Sequence, residues 1–225
     1  MTLRTRALVF STFFGSCIAI GLLLVSLTTN SWVKATPKKR NSAESSGDVS
    51  YGLFYGTKEL DSGFGVRSYP VDVYTFIQNQ PDTMNFWLWL ITALGTGFGL
   101  LSCAISAIAA VLKAASASKK PGTMLVLIAS NISSAASQVM AFICWLVQFF
   151  QYLQHNVLAV EDHKLNWYSH GLASLGYSFY LIIISTLVVL INLIILLYAR
   201  RCEHRYRQSL EPPSEEKNQS AIMLY

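Results

Sequence analysis

The stretch GYSFYLIIISTLVVLINLIILLYA, residues 176–199, decides the fold, because it contains no Asp, Glu, Lys or Arg. It is longer than the roughly 20 apolar residues that an α-helix needs to cross the hydrocarbon core of a bilayer. Residues 7–29, 86–112 and 123–150 form three more charge-free windows of similar length. Backbone polar groups cannot stay unpaired in lipid, and the runs lack the alternation of barrel strands. We therefore predict an all-α membrane protein with a four-helix transmembrane bundle.

The composition of the whole chain agrees with this prediction. Of its 225 residues, 13% are charged, against about 25% in an ordinary globular protein. Hydrophobic residues make up 52% and the mean hydropathy is +0.40. A chain of this length has too small an interior to hide so much apolar surface from water, which disfavours a soluble enzyme. We expect residues 1–225 to form a single membrane domain.

Positive charges predict the orientation of the helices. Lys and Arg are concentrated before the first window, between the second and third, and after the fourth: Arg4, Arg6, Lys113, Lys119, Lys120, Arg200, Arg201, Arg205 and Arg207. Because cytoplasmic segments carry an excess of Lys and Arg, we place both termini in the cytoplasm, with a tail over residues 200–225. Residues 30–85 and 151–175 then form two extracellular loops. The basic cluster at residues 34–40 opposes this orientation, but three segments favour it.

The first extracellular loop contains a strand pattern. Over residues 49–55, apolar and aromatic side chains largely alternate with small ones, and glycine follows at position 56. A second candidate strand, residues 66–76, contains Pro70, which confines it to a sheet edge or splits it. We therefore predict a small extracellular antiparallel β-sheet on top of the helices.

No cysteine lies in either loop, so no disulfide within the chain can hold this sheet. Aromatic packing is the expected substitute, and the available side chains are Trp32, Tyr51, Phe54, Phe64 and Tyr69. Cys202 follows two arginines beyond the fourth window, which makes it a candidate for palmitoylation, the alternative being an unmodified thiol. The apolar C-terminal residues, among them Met223 and Tyr225, predict either a PDZ-type partner or contact with the membrane interface.

Glycines inside the first two windows suggest close helix packing. Gly21 lies eight residues from the outer end of the first window, and Gly95 lies nine residues from the outer end of the second. Gly95 and Gly99 are four residues apart and share one helix face. Because small residues let helix backbones approach each other in lipid, we expect the first and second helices to pack through these glycines.

Polar residues in the last two windows suggest a second contact. Asn131 and Gln138 are seven residues apart, as are Ser185 and Asn192, so each pair lies on one helix face. The two helices run antiparallel, and counting from the cytoplasmic ends puts the residues at matching depths. We predict that Asn131 faces Asn192 and that Gln138 faces Ser185. A polar path for a substrate is the alternative interpretation.

Residue patterns typical of catalysis or ligand binding are missing from the sequence. His155, His163 and His170 share the second loop, but no two have helical zinc spacing and no CxxC occurs, so we expect no metal and no cofactor. The charge-free windows offer no acid or base, which disfavours an enzyme, an ion channel or a transporter. Net charge is +5, but no basic stripe on a folded face predicts nucleic-acid binding.

The chain resembles the claudin-like tetraspan superfamily in two features. It has four apolar windows with a long loop after the first, and that loop contains Trp32 followed by Gly52-Leu53-Phe54. Claudins carry paired loop cysteines, which this chain lacks. The clarin family is more similar, and the resembling segments are WVKAT at 32–36, YGLFYG at 51–56 (Tyr51 to Gly56), SGFGVR at 62–67 with Ser62 in place of a cysteine, and GYSFY at 176–180. Because its loops lack cysteine, the chain most resembles the third clarin paralogue.

The resemblance implies a plasma-membrane tetraspan protein of a family linked to hair-bundle integrity, hearing and actin-associated assemblies. Our leading hypothesis is a non-enzymatic organiser or auxiliary subunit that binds other membrane proteins laterally within the lipid. Its cytoplasmic partner would be a PDZ or actin-linked scaffold. The alternative is a claudin-type cell–cell adhesion or barrier protein.

Overall fold

The structure is a computed structural model, and it describes residues 3–40, 45–61, 63, 65–115 and 122–210. Within these residues there are six α-helices: α1 Leu3–Thr28, α2 Val73–Asn79, α3 Phe86–Ala115, α4 Gly122–Gln148, α5 Val160–Lys164 and α6 Tyr177–Leu210. A π-helical turn, Phe149–Leu153, extends α4. Four of the described helices, α1, α3, α4 with its π-helical turn, and α6, are long and apolar enough to cross a membrane. The number and positions of the long helices agree with the sequence prediction.

The four long helices pack as a ring. Helix α1 packs against α3 and α6, and α4 packs against the same two helices. We call α1, α3, α4, the π-helical turn and α6 the bundle. One difference from the predicted boundaries is that α6 continues to Leu210, so the first part of the predicted tail is helical.

The bundle carries a small antiparallel sheet at one end. The strands are β1 Val33–Ala35, β2 Lys38–Lys39, β3 Ser46–Tyr51, β4 Tyr55–Asp61, β5 Val66–Asp72, β6 Trp167–Tyr168 and β7 Ala173–Leu175. The larger sheet has the order β5-β4-β3-β1-β7, while β2 pairs with β6. Because β6 and β7 come from the second loop, both loops build one layer. We call the described parts of residues 29–85 and 154–176 the cap.

The strand boundaries differ from the prediction in two respects. The second candidate strand, residues 66–76, ends at Asp72, because Asp72 caps helix α2, which begins at Val73. Residues 49–55 are not one strand, because the chain reverses at Gly52–Phe54, where the Gly52 N–H donates to the Tyr55 carbonyl oxygen at 2.8 Å. The predicted edge position of Pro70 is confirmed, since β5 is the outermost strand of the sheet. The Val73 N–H donates to the Phe54 carbonyl oxygen. Backbone N–H groups along an antiparallel strand point alternately towards and away from the neighbouring strand, so the N–H groups of Val71 and Tyr69 also point towards β4. The nitrogen of Pro70, which carries no hydrogen, therefore faces the free edge of the sheet.

Candidate functional site

The junction between the cap and the bundle is built on Trp32. Its side chain is 0% exposed, and its indole Nε1–H donates to the Ser26 carbonyl oxygen in α1 at 2.7 Å. The ring packs edge-to-face against Trp145 of α4, with centroids 4.9 Å apart, and against Phe179 of α6 at 6.4 Å. One residue, four positions beyond the end of α1, therefore contacts three of the four long helices.

The YGLFYG segment forms a second attachment. Trp89, near the start of α3, donates its indole Nε1–H to the Leu53 carbonyl oxygen at 2.7 Å, and Leu53 itself is fully buried. Gly52 lies so close to the end of α1 that a Cβ atom there would lie 2.5 Å from the Thr29 carbonyl oxygen. Phe54, in contrast, is 41% exposed. The segment is thus a tight turn held against α1 and α3.

Tyr51 and Gly56 complete the segment on the side of the second loop. The Tyr51 hydroxyl donates to the Val157 carbonyl oxygen at 2.9 Å. A Cβ at Gly56 would lie 2.5 Å from Cδ1 of the Tyr51 ring, so the missing side chain makes room for that ring. Burial, together with the nearby negative charge of Asp162, raises the pKa of Tyr51 above its ordinary value. The phenol therefore stays protonated, as its hydrogen bond requires.

An ion pair joins the sheet to the second loop. Nζ of Lys58 in β4 lies 2.8 Å from an Asp162 carboxylate oxygen, and the two side chains are 19% and 7% exposed. The same carboxylate accepts the backbone N–H of Ala159 at 3.2 Å, which fixes its position at the start of α5. The pair spans a sequence separation of 104 residues, so no local sequence signal could have revealed it.

A cavity of about 840 Å³ opens beside this ion pair, between β4, β5, α2 and α5. Its walls combine aromatic side chains with charges of both signs, and they include Lys58, Arg67, Tyr69, Asp72, Phe76, Glu161, Asp162 and Trp167. Asp72 is committed to capping α2, since it accepts the Tyr74 N–H at 3.0 Å. Arg67 and Glu161 form no ion pair with a described residue. A concave surface with aromatic walls and unpaired charges is suited to binding part of another protein.

The amides inside the bundle do not pair as the sequence predicted. Asn131 donates to the Ser106 hydroxyl of α3 at 2.6 Å, whereas Asn192 donates to the Thr12 carbonyl oxygen of α1 at 3.3 Å. The predicted contact between Asn131 and Asn192 is wrong, because each amide is turned towards a different neighbour. Seven-residue spacing places residues on one helix face, but it does not select the neighbouring helix.

The predicted contact of Gln138 with Ser185 is wrong by one residue. The Gln138 side-chain oxygen accepts a hydrogen bond from the Thr186 hydroxyl at 3.2 Å, so α4 and α6 do meet at this depth. Ser185 instead donates to the Ala19 carbonyl oxygen of α1 at 3.4 Å. Successive helical residues point about 100° apart, so neighbouring positions on α6 contact different helices.

The glycines pack differently from the prediction as well. A Cβ at Gly95 would lie 3.0 Å from the Ser137 carbonyl oxygen, and one at Gly99 would lie 2.9 Å from Cγ of Gln138, so both glycines face α4. Gly21 is exposed, with nothing within 4 Å of a Cβ. The expectation that the first and second helices pack through these glycines is therefore wrong. Gly15, which the sequence analysis did not single out, contacts Asn192.

Of the predicted lipidation and PDZ-type positions, the structure describes Cys202. Cys202 is a free, partly exposed thiol in the last part of α6. Met223 and Tyr225 lie outside the described residues. Across the described residues there is no group of three or more His, Cys, Asp or Glu side chains that could hold a metal ion.

Neither a protein-family model nor a curated protein matches the chain. The resemblance to clarins therefore rests on the short segments quoted above and stays a prediction.

Proposed function

We propose that this chain is a multi-pass plasma-membrane protein of the clarin type that binds other membrane proteins laterally, as a non-enzymatic organiser or auxiliary subunit. The observation that carries the proposal is the firm attachment of the cap to the long helices. Two indole N–H groups, of Trp32 and Trp89, bridge the cap and the bundle, each at 2.7 Å from its acceptor. A partner that contacts both parts therefore meets one continuous surface.

The outer faces of the bundle support insertion into lipid. Large apolar side chains are exposed on all four long helices, including Phe14, Leu94, Leu125 and Ile194. The distribution of Lys and Arg favours a cytoplasmic location for both termini. Epitope tags before residue 1 and after residue 225 should therefore stain only in permeabilised cells. Staining of either tag on intact cells would contradict this orientation.

The cap cavity is the surface on which we expect the partner to bind. Arg67 and Glu161, which form no ion pair with a described residue, can be matched by charges of a partner, while the exposed ring of Tyr69 supplies aromatic area. Proximity labelling in living cells, with the labelling enzyme fused to the full-length chain, should mark a set of neighbouring membrane proteins. Arg67→Glu should remove part of this set, because it reverses the charge of the cavity wall.

Arg40→Glu is the matched control. Arg40 is likewise an exposed arginine of the cap, but it does not line the cavity. If both variants lose the same neighbours, general charge rather than the cavity determines binding.

A mixing experiment separates lateral binding from adhesion: tagged copies and partners should associate within one cell and not between two apposed cells. Association only between apposed cells would favour the claudin-type alternative.

A further inference from the structure

A second cavity lies far from the cap, at the other end of the bundle. It has a volume of about 380 Å³ and lies between the first turns of α1 and the last turns of α3. Leu3, Ala7 and Phe10 form one wall, and Val111 and Ala114 form the other. The small side chains of the two alanines leave the space open. We call this cavity the terminal groove.

Among the described residues, Arg6 is the one charged side chain that lines the terminal groove. Its Nε atom is buried and has no hydrogen-bond partner in the described part of the chain. Neither helix that forms the groove, α1 or α3, contains an Asp or Glu. Helix α6, which also packs against α1, contains Glu203, but no ion pair joins Arg6 to a described residue. Because the Arg6 Nε atom is buried beside apolar side chains, an anion that accepts its N–H would remove the cost of leaving this group unsatisfied.

We propose that the terminal groove is a binding site for an anionic phospholipid, with the lipid phosphate on Arg6 and the start of an acyl chain against the apolar walls. The planar guanidinium suits a phosphate, because its N–H groups donate two parallel hydrogen bonds. The position fits as well, since the groove lies at the helix ends, where lipid headgroups are found. In the orientation predicted from the Lys and Arg distribution, this end faces the cytoplasmic leaflet, which carries anionic lipids.

The site goes beyond the proposed function, because it involves neither the cap nor a partner protein. Native mass spectrometry of the full-length protein in mild detergent tests it directly. Phosphatidylserine and phosphatidylinositol 4,5-bisphosphate should bind about tenfold more tightly than phosphatidylcholine with the same acyl chains, since only they supply net negative charge. Arg6→Gln should abolish this preference.

Arg4→Gln is the matched control, because Arg4 is an exposed arginine two residues earlier, on the opposite side of α1, and does not line the groove. It should keep the preference for anionic lipids. Ala114→Leu retains the charge but fills the groove, and it should weaken binding of both anionic lipids. This variant tests the apolar wall independently, even if Arg6→Gln impairs folding.

Three results would overturn the proposal. Equal loss in Arg4→Gln and Arg6→Gln would show that general charge attracts the lipid. Unchanged binding in Ala114→Leu would show that the acyl chain lies elsewhere. Displacement of the lipid by millimolar inorganic phosphate would show an anion site that does not use the lipid chain.

Discussion

The cap and the bundle of this protein are held together by different interactions. In the cap, large aromatic side chains fill the interior and one ion pair joins the two loops, while two indole N–H groups bond to backbone carbonyl oxygens across the boundary with the bundle. In the bundle, hydroxyls and amides link neighbouring helices, as when Asn131 donates to Ser106 and Thr186 donates to Gln138.

This difference follows from the solvent that each part would meet in a membrane. The cap borders water, so burying an aromatic ring there gains the full hydrophobic free energy. Lipid is as apolar as leucine, so helices inside it associate through close packing and interhelical hydrogen bonds instead. Single substitutions in the cap should therefore cost more free energy than single substitutions in the bundle, and the predictions below test that order.

The largest effect is expected for Trp32→Ala. The ring is 0% exposed and contacts α1, α4 and α6, so its removal should lower the free energy of unfolding by about 3–5 kcal/mol. Thermal unfolding of the purified protein, with limited proteolysis of the cap, measures the loss. Trp87→Ala is the control, because Trp87 is 67% exposed at the start of α3. Equal losses in the two variants would contradict the role assigned to Trp32.

A smaller effect is expected for Gly52→Ala. The added Cβ would lie 2.5 Å from the Thr29 carbonyl oxygen and 2.9 Å from the Asn30 Cα, and neither backbone atom moves easily. Overpacking of this kind costs about 1–3 kcal/mol. Gly21→Ala adds the same methyl group to open space, so its unfolding temperature should not fall. A fall in Gly21→Ala as large as in Gly52→Ala would argue against the tight turn.

These two glycines show what the sequence reveals and what it does not. The four long helices could be predicted because each sequence window lacks charge over the length needed to cross a membrane. The edge position of Pro70 could be predicted because proline has no N–H to donate to a neighbouring strand. The sequence predicts helix packing at Gly21 because small residues let helix backbones approach each other, yet which face of α1 meets a neighbour depends on the tertiary arrangement. The same limit concealed the Lys58–Asp162 ion pair and the cavity beside it.

That ion pair gives the third prediction. A double-mutant cycle with Lys58→Met and Asp162→Asn should yield a coupling free energy of about 1 kcal/mol, more than an isolated surface pair because the side chains are only 19% and 7% exposed. Asparagine keeps an oxygen that can accept the Ala159 N–H, so the cycle isolates the charge interaction. A control cycle of Lys58→Met with Glu161→Gln should give no coupling. Comparable coupling in both cycles would indicate a diffuse field instead of a specific contact.

The smallest effect concerns the amides of the bundle, where the sequence prediction and the structure disagree. Interhelical hydrogen bonds in membrane proteins average about 0.6 kcal/mol, so Asn131→Ala and Ser106→Ala should show coupling of that size. Coupling between Asn131→Ala and Asn192→Ala should be smaller still, because the structure links these two amides indirectly, through the hydroxyls of Ser106 and Ser16. Crosslinking decides the register more sharply than energies this small. In a background without the four native cysteines, cysteines at positions 131 and 106 should form a disulfide, whereas cysteines at 131 and 192 should not. A crosslink between 131 and 192 would restore the pairing that the heptad spacing predicts and would require α4 to be rotated about its axis.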